Sequence, residues 1–237
     1  MLHTTRAVVL KAIRHGDNTV VLKAFTELLG VRSLVVRVGK KGGGGHAALQ
    51  PLNRLELVVH EAPERDLLAV RELRVAEPFV RIPFDAVRGA LALFVQEVLY
   101  RSLRGEAADP ALFAFVQEAL RAMDEVEDVR NFPLIFLLRY SAEQGFLPVA
   151  PQPGEDHFDL VEGEFVSGAV RHGHTMGAPL SGALASLLPI GFDQMHQVTI
   201  APALRRDLLD HLLLYFRIHM EGLGELRSPA VLHQVLG

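Results

Sequence analysis

The sequence predicts an α+β chain, with an N-terminal five-stranded closed β-barrel followed by an α-helical domain that carries a small irregular insert. Three observations predict it. Up to Ala76 the apolar residues alternate in short runs set off by turn residues. Pro78 and Pro83 then interrupt the pattern, and from Phe84 onward apolar residues recur at helical spacing. Formal charge is also split, with +5 over residues 1–76 and −9 over the remainder, within a net of −4. These shifts place the boundary between residues 1–78 and 79–237, with the insert at about 148–178.

Thr4 to Ile13 and Asn18 to Thr26 form two strand patterns around a Gly16-Asp17-Asn18 turn. Glu27 to Gly30 turns the chain into a third, Val31 to Val38, which breaks into Gly39-Lys40-Lys41 and the glycines 42–45. Leu52 to His60 alternates after Pro51 as a fourth strand. Leu67 to Ala76 fits a strand or a short helix, with strand favoured by context. Five short strands suit a closed barrel, and the OB-fold is such a barrel, known for holding single strands on a basic face. Arg32, Arg37, Lys40 and Lys41 fall within one short stretch that holds no acid. A β-branched run bearing arginine, then a basic glycine hinge, suits a polyanion better than catalysis. Glycine lets the main chain approach a phosphate backbone closely. The same residues also fit a solvated hairpin tip whose lysines keep a strand edge soluble.

Val87, Leu91, Phe94, Val95, Val98 and Leu99 mark one amphipathic helix, ending near Gly105. Asp109-Pro110 opens a second by its cap-then-proline signature. Arg130 to Gly145 is a third, apolar nearly all round at Phe132 to Leu138, and therefore expected at the centre of a bundle. In the insert, Asp156 to Val166 reads as two strand pieces turned at Glu162-Gly163, and Arg171 to His174 as loop. A helix near Ser181 to Leu188, a long one from Ala203 to Met220, and a short one after Ser228-Pro229 complete the chain.

Composition excludes several classes. With no cysteine there is no disulfide, no cysteine zinc site and no cysteine nucleophile. No signal peptide precedes the first strand, and no apolar run approaches the roughly 20 residues of a membrane span, so the expectation is a soluble, cytoplasmic protein. Gly39-Lys40-Lys41-Gly42 lacks the spacing of a nucleotide-binding loop. The acidic run Asp124, Glu125, Glu127 and Asp128 reads as a solvated helix end. His157, His172, His174 and Asp156 do not have the spacing of a known metal site, so no metal is expected. No nucleophile elbow stands beside a histidine and an acid, so the expectation is a non-enzyme without a cofactor. A protein-interaction scaffold that does not touch DNA is the alternative.

Several segments in order carry a family resemblance. They are Arg6 to Leu10, Phe25-Thr26-Glu27 with Gly30, Leu34 to Arg37 with the basic loop, and Leu49 to Leu52. Further along the chain come Leu112-Phe113, Arg130-Asn131-Phe132 leading to Gly145-Phe146, Tyr215-Phe216 and Leu226-Arg227-Ser228. Together they resemble the bacterial RecO family of DNA repair proteins over nearly the whole chain. The resemblance implies an N-terminal OB-fold and a helical domain. It implies binding of single- and double-stranded DNA and annealing of complementary strands. With RecR and RecF as partners, such proteins load RecA onto DNA coated by the single-stranded DNA-binding protein SSB, whose acidic tail they also bind.

By position, Arg6, Arg32, Arg37, Lys40 and Lys41 are the implied DNA contacts, and Arg130, Phe132 and Arg121 the implied grip on the SSB tail. Two departures stand out. The region matching the four-cysteine zinc module of many relatives, about 147–176, holds no cysteine, so packing or hydrogen bonds must hold the insert. The four glycines replace a loop that is commonly more basic, which implies a weaker hold on DNA.

Overall fold

The computed structural model describes every residue except 40–42, 61–65, 104, 106, 169 and 237, with backbone alone at 43 and 44. Five strands form the N-terminal part: β1 (Leu2–Arg14), β2 (Thr19–Thr26), β3 (Gly30–Arg37), β4 (Arg54–His60) and β5 (Leu67–Glu77). They close into a barrel in the order β1-β2-β3-β5-β4, which is the OB-fold. Neighbours are antiparallel except β3 and β5, which close the barrel in parallel from Ser33↔Leu67 to Val35↔Ala69. Alternation sets the inside: Ala7, Val9, Val20, Leu22, Ala24, Leu34, Val36, Leu55, Leu57 and Val59 fill one buried cluster.

The first strand contains one irregularity. Val9 pairs with Ala24 and Lys11 with Lys23, so Leu10 is an extra residue, a β-bulge. Without it Lys11 would share the inward parity of Ala7 and Val9. With it, Lys11 turns outward beside Lys23, and Leu10 packs into the helical core instead.

The glycine run differs from expectation. Gly43–Ala48 is a short helix, α1, rather than a loop. Asn53 explains its end, since the side-chain amide donates to the Ala47 and Ala48 carbonyls at 2.8 and 3.1 Å. Gly45 is needed for closeness: a Cβ there would lie 2.7 Å from Cγ1 of Val38. The fourth strand also starts later than its sequence pattern, because Leu52 adopts φ 65° and donates its N–H to the Val9 carbonyl before β4 begins.

A 3-10 turn at Ile82–Phe84 leads into α2 (Ala86–Ser102), α3 (Pro110–Glu125) and α4 (Phe132–Glu143). As the all-round apolar pattern requires, α4 is central, with Phe132, Leu134, Ile135, Phe136, Leu137, Leu138 and Tyr140 fully buried. The rings of Phe132, Phe136, Tyr140 and Phe216 stack in series at 5.7–6.1 Å. The insert contains β6 (His157–Asp159), β7 (Glu164–Val166) and β8 (Thr175–Met176) in a small antiparallel sheet. Phe158 and Phe165 pack at 5.0 Å, and Asp159 accepts from the Val161 and Glu162 N–H groups, so packing and hydrogen bonds hold it. The chain ends with α5 (Leu180–Leu187), a 3-10 helix at Phe192–Gln197 that the sequence pattern did not suggest, α6 (Pro202–His219) and α7 (Pro229–Leu236). Asn131 explains the 3-10 helix, donating to the carbonyls of Met195 and Val198.

In the acidic run at the end of α3, Glu125 and Glu127 are solvated as expected, but Asp124 is not. Asp124 is buried and accepts the backbone N–H groups of Val80, Arg81 and Ile82 at 2.8–2.9 Å. Burial pushes its pKa up, and the N–H donors outweigh that, holding the carboxyl below the usual range. Arg88 is buried alongside and donates to the Met123, Val126 and Glu127 carbonyls, closing the same helix end.

Candidate nucleic-acid interface

The residues expected on the basic face are distributed rather than gathered. Arg6, on β1, is exposed but forms a two-point ion pair with Glu27, at 2.8 Å from Nε and 2.5 Å from Nη2, and its guanidinium lies 5.6 Å from the centre of the Phe113 ring. The hydrogen bond to Glu27 raises the Arg6 pKa and lowers that of Glu27. Arg37, at the end of β3, is exposed and lines a 970 Å³ hollow with Arg71, between the diverging ends of β3 and β5. Lys40 and Lys41 lie outside the described residues.

Arg32 lines a different and larger concavity, a 1140 Å³ groove at the seam between barrel and helices. One wall is the outer surface of the barrel, with Leu10, Lys11, Lys23, Val31, Arg32 and Ser33. The opposite wall is α2 with Leu93, Gln96, Glu97, Tyr100 and Arg101, and the segment that enters α7 adds Arg227 and Ser228. The groove therefore collects five cationic side chains, Lys11, Lys23, Arg32, Arg101 and Arg227, of which only Arg32 was singled out from sequence. A signal was present: Lys11 and Lys23 lie equally far from Asp17, the centre of the first turn, so an antiparallel hairpin sets them opposite one another. Plain alternation concealed it, because it turns Lys11 inward.

Each wall is fixed from beneath. Gln96 donates its amide to the Leu10 carbonyl at 2.6 Å, satisfying the group that the bulge removes from the ladder. Glu97 accepts from the backbone of Arg227 and Ser228 and from the Ser228 hydroxyl at 2.7–2.9 Å, and pairs with Arg101 at 2.9 Å. Burial pushes Glu97 up, and these donors outweigh it, leaving its pKa lowered. Phe25, the aromatic that sequence offered for base stacking, is buried against Phe113 at 5.4 Å and has no free face.

The residues expected to grip an acidic tail separate in the same way. Arg130 is exposed and holds Asp128 by Nε and Nη2, and that hydrogen bond lowers the Asp128 pKa to about 2. Arg121 is on α3 beside Glu77, 3.7 Å away. Among the described residues no hydrogen bond or ion pair joins Arg121 to Arg130. Phe132 cannot wall a surface pocket, because its ring is fully buried between Phe136 and Phe192. The apolar surface beyond Arg130 is a shallow hollow lined by Pro133, Leu209, Leu232 and Leu236 with Arg205 and Arg206.

In the insert, His157 pairs with Asp156 at 2.7 Å and His172 with Asp159 at 3.2 Å, as two separate pairs. Among the described residues no three His, Cys, Asp or Glu side chains converge on a metal-sized space. No helix among them is long and apolar enough to cross a membrane.

Known proteins are similar to this sequence along nearly its whole length. Residues 1–79 match the family described as Recombination protein O N terminal, and residues 83–229 match Recombination protein O C terminal. Proteins named DNA repair protein RecO are similar over the full length. That of Porphyromonas gingivalis is 32% identical, with 98% of each chain covered. Those of Bacteroides fragilis and Flavobacterium psychrophilum are 30% identical with 99% of each chain covered, and 28% identical with 98% covered.

Proposed function

The chain belongs to the RecO family of DNA repair proteins, and from that premise we propose that it is a recombination mediator that performs no bond chemistry of its own. It binds single- and double-stranded DNA and anneals complementary strands. With RecR and RecF it helps place RecA on DNA coated by SSB. The observation that carries this reading is the OB barrel, whose β3 ends on the exposed Arg37, with Lys40 and Lys41 following in the sequence.

The physics requires no catalytic step. Cations on the barrel displace counterions from phosphates, giving sequence-tolerant affinity that falls as salt rises. Two neutralised strands held together lose most of their mutual repulsion and pair. Backbone contacts outweigh stacking, since Phe25 is buried. For the SSB tail, the hollow of Pro133, Leu209 and Leu236 with Arg205, which feels the charge of Arg130, supplies cationic and apolar character together.

Fluorescence anisotropy with labelled single-stranded DNA across a salt series tests the reading, using the wild type and Arg37→Glu/Lys40→Glu/Lys41→Glu. Log affinity should fall linearly with log salt, by about 0.7 for each phosphate contact, and the triple variant should lose most binding. Wild-type protein that fails to bind at low salt would leave a DNA-free scaffold as the better account. Arg130→Glu should weaken capture of an SSB-tail peptide while DNA affinity stays within about twofold.

A further inference from the structure

We propose that the seam groove is a second phosphate-binding track, in which Lys11 and Lys23 together clamp the backbone of a nucleic-acid strand above Tyr100. This rests on the reading of the chain as a DNA-binding protein, but not on the β3 loop.

The two lysines face each other directly across the β1–β2 ladder. Their ammonium groups lie 4.9 and 5.2 Å from the centre of one ring, that of Tyr100. Like charges directly opposite destabilise a sheet pair, and one half-buried ring offsets only part of that. Among the described residues no acidic side chain pairs with either lysine. Of the two acids that line the groove, Glu97 is committed to Arg101, Arg227 and Ser228. Asp66 is the other acid of the lining, shared with the hollow that holds Arg37. The Leu10 bulge and its Gln96 hydrogen bond hold the charge pair in place.

Size and continuity choose the occupant. At 1140 Å³ the groove is at the top of the size range of small-molecule pockets and has room for an extended strand. It adjoins the hollow that holds Arg37, since Asp66 lines both. A polynucleotide can follow that line, because it presents an anion at each residue and needs no particular sequence.

The chain has four lysines, in two pairs, Lys11 with Lys23 and Lys40 with Lys41, so a lysine-modification footprint reads each claim separately. Full-length protein is acetylated with and without a thymidine oligonucleotide, and modification is measured by mass spectrometry. Protection of Lys11 and Lys23 is expected, whether or not Lys40 and Lys41 are also protected. Protection of Lys40 and Lys41 alone overturns the groove and leaves the DNA-binding reading standing. If the oligonucleotide protects no lysine and does not bind, both fall. Protection of Lys11 and Lys23 by an acidic peptide but not by the oligonucleotide reassigns the groove to a protein partner and also overturns the proposal. In the salt series, Lys11→Ala/Lys23→Ala should lower the log–log slope by about 1.4, two phosphate contacts on a single strand. Thermal unfolding should be unchanged or higher, because two facing like charges are removed. An unchanged slope overturns the clamp.

Discussion

Asp124 shows how a single side chain can anchor the segment that leads from the barrel into the helices. It is an acid at a helix C-terminus, where the dipole disfavours negative charge. It is held there by three N–H donors from the segment just after β5. Asp124→Asn keeps the shape but loses the charge and part of the acceptor capacity, and should cost about 2–4 kcal/mol in urea unfolding at pH 7. The pH dependence has a definite sign. The folded-state pKa is lowered, so the stabilisation is present above the unfolded value of about 3.9 and is lost as pH falls through the folded value. The gap between wild type and variant should be constant above about pH 5 and narrow on further acidification. A gap that widens toward acid would contradict the assignment. From sequence, Asp124 was indistinguishable from Glu125 and Glu127, because a run of acids does not say which member faces a neighbouring backbone.

At the level of elements, one glycine sets how closely the small sheet of the insert can approach α6, which it also meets through Phe158 on Tyr215. Gly163 turns β6 into β7 with φ 75°, and a Cβ there would lie 2.7 Å from the Tyr215 hydroxyl. That hydroxyl donates to the Phe146 carbonyl at 2.6 Å, and burial pushes its pKa up to about 12, so it stays protonated and serves as a donor. Gly163→Ala combines left-handed backbone strain with a clash and should cost about 2–3 kcal/mol. For a chain of this size that is a fall of about 5–10 °C in Tm by calorimetry. An unchanged Tm would mean that the insert moves away without penalty. The turn itself was legible as Glu162-Gly163, whereas its contact with Tyr215, far along the chain, was not.

For the whole molecule, the important fact is that the core does not stop at the domain boundary. Val8, Leu10, Phe25 and Leu52 point out of the barrel and belong to the same buried cluster as α2, α3 and α4. Barrel and helices therefore share apolar surface, and the molecule should unfold in one transition with matching calorimetric and van't Hoff enthalpies. Two resolved transitions would show that the seam contributes little, and would make the groove a changeable cleft. A shared core also explains why the groove walls are held so firmly, since Leu10 is buried beneath one wall and Leu99 beneath the other. The charge split adds direction: the barrel half carries the positive balance, so an approaching polyanion is drawn to that side.

Sequence alone determined the strands, the hairpin turn at Gly16 to Asn18, the central place of α4 and the family, because periodicity and turn chemistry are local or near-local properties. It also determined that basic charge concentrates in the first part of the chain. Only the tertiary structure decided which of those charges share a site. A single-residue bulge at Leu10 reverses the facing of Lys11, ion pairs occupy Arg6 and Arg130, and α2, far along the chain, brings Tyr100 beneath the two lysines of the β1–β2 hairpin. The same holds for Phe132, whose apolar character marked it as important but whose full burial places it in the core. The physical reason is common to all of these: facing, pairing and burial depend on what another part of the chain places opposite, and no local pattern records that.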